Sequence, residues 1–280
     1  FEVAQREGIA IPHLCHQPGL TPAGNCRACM VEVAGERTLA ASCCRAVAEG
    51  LDVQTTSERA LKSQRLVLEL LQADLPATAL TQHNEVDTWA ARLDVGRPRF
   101  PARAAVAADL SHPAISVHLD ACIQCTRCLR ACRDEQANDV IGLAARGALA
   151  KIVFDMDDAM GASSCVACGE CVQACPTGAL APARGAALVA PDHSVDSVCP
   201  YCGVGCQLTY HVKDDRIVRV DGRPGPANQG RLCVKGRYGF DYVRHPQRLT
   251  VPLIRRADAP KDAQAPFDPR DVARHFREAS

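Results

Sequence analysis

The chain has 280 residues with 32 basic and 32 acidic side chains, so its net charge is +0 and it carries no electrostatic footprint for nucleic acid or an anionic surface. Aromatics make up only 4%, and no apolar run reaches the roughly 18 residues of a transmembrane helix, so neither one large aromatic core nor a membrane span is expected. Seventeen cysteines are present. Their tight clusters and odd total argue against a disulfide framework and for metal ligation.

In chain order, residues 1–54 open on a short amphipathic helix (Phe1, Val3, Ala4, with Gly8 as a stop), then a long cysteine loop and strand signals at MVEVAG and LDVQ. Thr55 with Glu58 reads as a capping box for a helix through ERALKSQRLVLELLQAD, with Leu61, Leu68 and Leu71 on its buried face and Pro76 at its end. A second helix from Asn84 places Val86, Trp89, Ala90 and Leu93 on one stripe and stops at Gly96. The segment GRPRFPARAAVAADLSHP reads as a linker.

The run CIQCTRCLRAC at Cys122 recurs as CVACGECVQAC at Cys165, 43 residues later, with a β-hairpin turned at Arg146-Gly147 between the copies. APARGAALVAPDHS is a second linker. The last portion opens at Cys199 and contains a hairpin turned at Asp214-Asp215. The chain begins at Phe1 inside a pattern and stops at Ser280 without a closing element, so both ends are expected to be cut.

Sixteen of the cysteines form four sets of four, and four thiolates hold one iron–sulfur cluster. The repeated C-x2-C-x2-C-x3-C is the run of two-cluster [4Fe–4S] ferredoxins, in which the fourth Cys of each run ligates the other cluster. That resemblance assigns Cys122, Cys125, Cys128 and Cys175 to one cubane, and Cys165, Cys168, Cys171 and Cys132 to the other. Pro176 follows the second run as the motif expects; Arg133 stands in its place after the first.

Cys15, Cys26 and Cys29 with the adjacent Cys43 and Cys44 form C-x10-C-x2-C-x13-C, whose fourth member the spacing alone leaves open. With PHLCHQPGLTPAGNCRACMVEV, it resembles the [2Fe–2S] domain of the complex I large subunit, iron-only hydrogenases and NAD-linked formate dehydrogenases. The resemblance favours Cys43 and leaves Cys44 as a buried small residue. The H-x3-C-x2-C-x5-C element that follows in complex I large subunits and many hydrogenases is not matched: after His83 the corresponding positions are Asp87, Ala90 and Gly96.

Cys199, Cys202, Cys206 and Cys233 lie in CPYCGVGC and LCVKGR. These motifs resemble the opening [4Fe–4S] part of molybdenum or tungsten bis-pterin oxidoreductases, and formate dehydrogenases in particular. By that resemblance Lys235 lies between this cluster and a pterin and assists electron passage.

The expected architecture is α+β and multi-domain. It comprises a ferredoxin-type [2Fe–2S] domain (1–54), a helical connector (55–111), a two-cluster [4Fe–4S] domain (112–185), and the start of a molybdopterin oxidoreductase domain with its [4Fe–4S] part (196–280). The resemblance implies the electron-relay portion of a formate dehydrogenase alpha subunit, holding one [2Fe–2S] and three [4Fe–4S] clusters. A Mo or W bis-pterin guanine dinucleotide and the formate/CO2 site would lie in the rest of the subunit, with no catalytic residue for formate here. It further implies a flavin- and NAD-binding diaphorase-type beta subunit as partner, admits a further small [2Fe–2S] subunit, and places the protein in the cytoplasm. A non-catalytic complex I-like large subunit and an iron-only hydrogenase subunit are the alternatives.

Overall fold

Long cysteine loops leave little chain for regular structure, and the elements are accordingly short. A computed structural model describes residues 1–246, 248–259 and 276–278. Residues 1–238 form one compact unit and 239–280 a second.

After helix α1 (Glu2–Arg6), strand β1 (Met30–Val33) pairs antiparallel with β2 (Ala40–Ala41) on one edge and β3 (Val53–Gln54) on the other. Alternation along β1 buries Val31 and Val33 against Phe1, Ile11, Cys29 and Cys43. Two thiols therefore belong to this small core.

Helix α2 (Glu58–Asp74) is capped by Ser57, whose Oγ accepts from Ala60 N at 3.3 Å. The cap is not Thr55, whose carbonyl instead accepts from Gln64 Nε2 at 3.2 Å. The same Gln64 amide donates to Met30 O at 2.8 Å and ties the helix to β1. Leu68 is fully buried, whereas Leu61 and Leu71 are half-buried. Leu75 ends the helix in an extended conformation, as the residue before Pro76 must. Asn84 caps α3 (Glu85–Arg92) by accepting from Val86 N at 3.0 Å. Val86 and Trp89 of α3 meet Leu68, Leu14 and Ala28. The stop is Asp94 in the left-handed region (φ 51°), with Val95 N donating back to Ala90 O, so Gly96 is not needed for it.

The stretch from 96 to 111 holds no helix or strand but is pinned. Arg99 makes a two-pronged contact with Glu69 (both 2.7 Å), and Arg103 Nη2 donates to the carbonyls of Leu119, Asp120 and Cys122. The Arg99 guanidinium holds the Glu69 carboxyl down at about 2.

Strand β4 (Ile115–Val117) pairs antiparallel with β7 (Leu180–Pro182), joining the two ends of the repeat region. Between them lie α4 (Arg127–Arg130), continued by a π-helical turn over Ala131–Glu135, the hairpin β5 (Ile141–Ala144) and β6 (Lys151–Phe154), and α5 (Glu170–Ala174). Ile115, Val117, Ile141, Ile152, Phe154, Met160 and Leu180 form one core together with Cys128, Cys132 and Cys171.

Strand β8 (His193–Val198) falls within and just after the stretch read as a second linker. It pairs with β9 (Gln207–Lys213), which pairs with β10 (Arg216–Gly222). Asp214 and Asp215 both take positive φ (48° and 57°), as a tight two-residue hairpin turn requires. Helix α6 (Val234–Tyr238) closes this unit. In the second unit, β11 (Leu253–Arg255) pairs antiparallel with β12 (Phe276–Glu278). Among the described residues no helix is long and apolar enough to cross a membrane.

Candidate metal centres

Each cysteine set is assembled by local backbone chemistry. In the first, the loop returns Cys15 N to Cys26 Sγ at 3.4 Å. The thiols of Cys15 and Cys29 both hydrogen-bond that of Cys43, which raises Cys43 and lowers Cys29 to about 6. Cys43 thus turns inward with the other three. Cys44 is exposed, with Sγ 3.7 Å from Cys43 Sγ, so the expectation of a buried Cys44 fails. The reason lies in the short 3-10 turn over Ser42–Cys44, which buries Cys43 and turns its neighbour outward.

The repeat is visible in the dihedrals. Gln124 and Thr126 in the first run take φ of 55° and 57°; their counterparts Ala167 and Gly169 take 54° and 74°. These left-handed residues turn amide N–H groups onto sulfur: Gln124 N lies 3.4 Å from Cys122 Sγ, and Ala167 N lies 3.3 Å from Cys165 Sγ. Around the first run, Cys122, Cys125, Cys128 and the distant Cys175 line one small cavity with Ile123, Ile152 and Leu180. Cys132 lines the other small cavity, with Cys165, Cys168 and Cys171. The fourth cysteine of each run has crossed to the other cavity. Leu180 N donates to Cys175 Sγ at 3.4 Å.

The fourth set spans three places. Cys199 follows β8, Cys206 precedes β9, and Cys199 N donates to Cys206 O at 2.8 Å. Cys233 immediately precedes α6, whose Gly236 lies against Cys199 Sγ. Burial and the nearby thiols of Cys199, Cys202 and Cys233 push Cys206 up. Cys202 and Cys233 are exposed, as is Lys235.

These sites fit iron–sulfur clusters. Burial pushes the Cys125 thiol up to about 12, and burial followed by the neighbouring thiols drives Cys128 and Cys171 well above the ordinary value. Four thiolates in such a pocket need the positive charge of metal ions to coexist. Among the described residues no group of three or more His, Cys, Asp or Glu side chains is placed to hold a single metal ion; the ferredoxin thiols instead line volumes. Tyr238 Oη is buried without a hydrogen-bond partner, and burial, then the thiol of Cys171, holds the phenol un-ionised. Sulfur of a cluster in that cavity would offer it an acceptor.

Several polar residues between the cysteines were not singled out from sequence. Arg127, Arg130, Glu170 and Arg237 are each buried. Arg127 donates to both carboxylate oxygens of Glu85 (2.6 and 2.8 Å) and to His16 O. Arg130 reaches Thr21 O and Cys15 O. Glu170 and Gln173 occupy the same two helical positions in the second run and accept from Arg237, which also donates to Cys168 O at 2.8 Å. The helix of each run therefore docks a different neighbour: the Cys15 loop on one side and the α6 portion on the other. The repeat offset aligns Arg127 with Glu170 and Arg130 with Gln173, which is the signal that could have found them.

Three family models match the chain: a 2Fe–2S iron–sulfur cluster binding domain at 1–58, the ferredoxin-like domain of NADH-quinone oxidoreductase subunit 3 at 112–181, and the molybdopterin oxidoreductase Fe4S4 domain at 192–245. Three separate stretches of the chain thus match iron–sulfur domain models, the last of them the Fe4S4 domain of molybdopterin oxidoreductases. The NADH-quinone oxidoreductase G 2 subunit of Rhizobium meliloti is 35% identical to it over 90% of the chain and 30% of the relative. The NADPH-Fe(3+) oxidoreductase subunit alpha of Geobacter sulfurreducens is 31% identical over 91% of the chain and 31% of its own length. A putative formate dehydrogenase of Staphylococcus haemolyticus is 25% identical over 91% of the chain and 30% of its own length. The chain accordingly spans under a third of each of these relatives. The crystal structure of a NAD+-reducing [NiFe]-hydrogenase in the H2-reduced state superposes with a TM-score of 0.61 and 26% identity, covering 65% of this chain and 80% of the other.

Proposed function

We propose that this chain is the electron-relay portion of the alpha subunit of an NAD-linked formate dehydrogenase, with a Mo or W bis-pterin centre elsewhere in the same subunit and a flavin- and NAD-binding subunit as acceptor. Cys15, Cys26, Cys29 and Cys43 would hold a [2Fe–2S] cluster. Three [4Fe–4S] clusters would be held by Cys122, Cys125, Cys128 and Cys175; by Cys165, Cys168, Cys171 and Cys132; and by Cys199, Cys202, Cys206 and Cys233. When bound, the clusters supply one-electron transfer between the pterin centre and the partner subunit. The chain's own residues position them: inward amides set sulfur hydrogen bonding, and the packed hairpin excludes water. Lys235, exposed two residues after Cys233, would face the pterin and assist passage.

The observation that carries this reading is the assembly of all four thiol sets in one compact unit, ending in the Cys199 set within the molybdopterin-type Fe4S4 domain. The likeness of CPYCGVGC to formate dehydrogenases and the Staphylococcus relative support formate as substrate. A second reading, an electron-transfer chain resembling the Rhizobium NADH-quinone oxidoreductase protein and holding no pterin metal, is favoured by the 35% identity to that relative. Metal analysis of the full-length protein separates them. Mo or W, together with formate-dependent bleaching of the iron–sulfur absorbance, is expected; absence of both metals would sink the formate reading. Iron should total about 14 per chain, and a total near ten or below would mean that one assigned set is wrong.

A further inference from the structure

Arg130 is buried, 4% exposed, and its hydrogen bonds run to backbone carbonyls. Nε donates to Thr126 O at 3.2 Å and Nη1 to Thr21 O at 2.6 Å. Nη2 donates to Cys15 O at 2.5 Å and to Cys125 O at 3.2 Å. One nitrogen therefore links the peptide of a cysteine in the first set to that of a cysteine in the second. No carboxylate takes part in these four bonds. Arg127, one turn away, has Glu85 against it. At the opposite junction Arg237 bonds the carbonyl of Cys168, the repeat counterpart of Cys125, but pairs with Glu170. A buried guanidinium hydrogen-bonded only to carbonyls is costly unless negative charge lies close by; Asp134, held by Arg133, acts on it only at a distance, and two thiolate-ligated clusters would supply the rest.

We propose that Arg130 is a positioning residue for electron transfer: its guanidinium fixes the Cys15 loop against the Cys125 loop, and its charge, hydrogen-bonded to no carboxylate, favours the reduced state of both clusters. This rests on the cluster assignment above. A positive charge in a low-dielectric site stabilises an added electron on either side of it, and protein charge near a cluster is one of the levers on its potential. Arg127 and Arg237 also lie beside cluster cysteines, but each is paired with a carboxylate, Glu85 and Glu170, so the net charge at their contacts is smaller.

The test is an EPR-monitored redox titration of the anaerobically prepared full-length protein, alongside Arg130→Gln, Arg130→Lys and the double substitution Arg127→Gln/Glu85→Gln, with iron counted in each. Wild type carrying far fewer than about 14 iron atoms would refute the cluster assignment itself, independently of Arg130. With iron intact, Arg130→Gln is expected to shift the midpoint of the [2Fe–2S] signal and of one cubane to more negative values, while the double substitution Arg127→Gln/Glu85→Gln, which removes a cation and its anion together, shifts them less. Unchanged midpoints in a fully loaded Arg130→Gln protein would overturn the proposal. If Arg130→Gln does not load, Arg130→Lys decides, because it keeps the charge but cannot span the four carbonyls. It is expected to keep the midpoints and weaken the spin coupling between the [2Fe–2S] cluster and the cubane. Wild-type coupling in that variant would overturn the positioning role.

Discussion

Cys175 and Cys132 each stand in the cavity lined by the other run's thiols, so a single substitution reports on its distant partners. Cys175→Ser is expected to remove the cubane of the Cys122 run and leave that of the Cys165 run, and Cys132→Ser the reverse; iron should fall by about four per chain in either case. Loss of the local cubane instead would show that each run closes on itself. In the ferredoxin portion the thiols that the spacing groups, with the fourth of each run exchanged, are the thiols that line each cavity. The buried charges between the cysteines were not legible in the sequence, because an Arg beside a Cys reads alike whether it is solvated or reaches a carbonyl in another module. Cys44 was misjudged for a related reason: two adjacent cysteines cannot both face one pocket, and which one turns in depends on the 3-10 turn. Arg99 and Glu69 offer a simpler check. Arg99→Ala should expose residues 96–111 to proteolysis several-fold faster at neutral pH, since the two-pronged contact that anchors this helix- and strand-free segment is gone.

Helices α2 and α3 were readable from periodicity, yet their ends were set by finer chemistry. Ser57 displaced Thr55 as the cap, since Gln64 engages the Thr55 carbonyl, and Asp94 took the left-handed stop. Strand β8 escaped notice because nearly all its residues are exposed, so it carries no apolar alternation; only pairing with β9 makes it a strand. Packing here can be tested directly. Leu68 is fully buried where α2, α3 and the Cys26 loop meet, and Leu68→Ala should cost about 2–5 kcal/mol in denaturant unfolding. At the start of α5, Gly169 combines φ +74° with an absent Cβ that would sit 2.1 Å from Arg237 Cδ. Gly169→Ala should therefore cost more than the roughly 1–2 kcal/mol of backbone strain alone, because α6 must also move; loss of the Cys199-set EPR signal would accompany it. The counterpart Thr126 takes the same left-handed backbone (φ 57°) with a side chain in place, its hydroxyl accepting from Asn25 Nδ2 at 2.7 Å.

The hydrophobic interior is divided among small clusters, two of which count cysteines among their members. The metal should therefore act as folding energy. Removing iron by chelation under reducing conditions is expected to abolish amide-exchange protection in β4–β7 and the ferredoxin helices, while α2 and α3, whose core is built on Leu68, Val86 and Trp89, keep part of theirs. Uniform retention of protection in the iron-free chain would contradict this. The two halves of the ferredoxin portion share a backbone plan but present different chemistry at matching helix positions: two arginines on one half, a glutamate and a glutamine on the other. A duplicated scaffold with identical fittings would leave the choice of neighbour at each end to chain connectivity alone. Opposite polarity makes the coupling keyed. The cationic half can seat only a loop offering carbonyls and Glu85, and the acidic half only a helix offering Arg237, so the order of the modules along the conduction path is written twice, once in the chain and once in the charges.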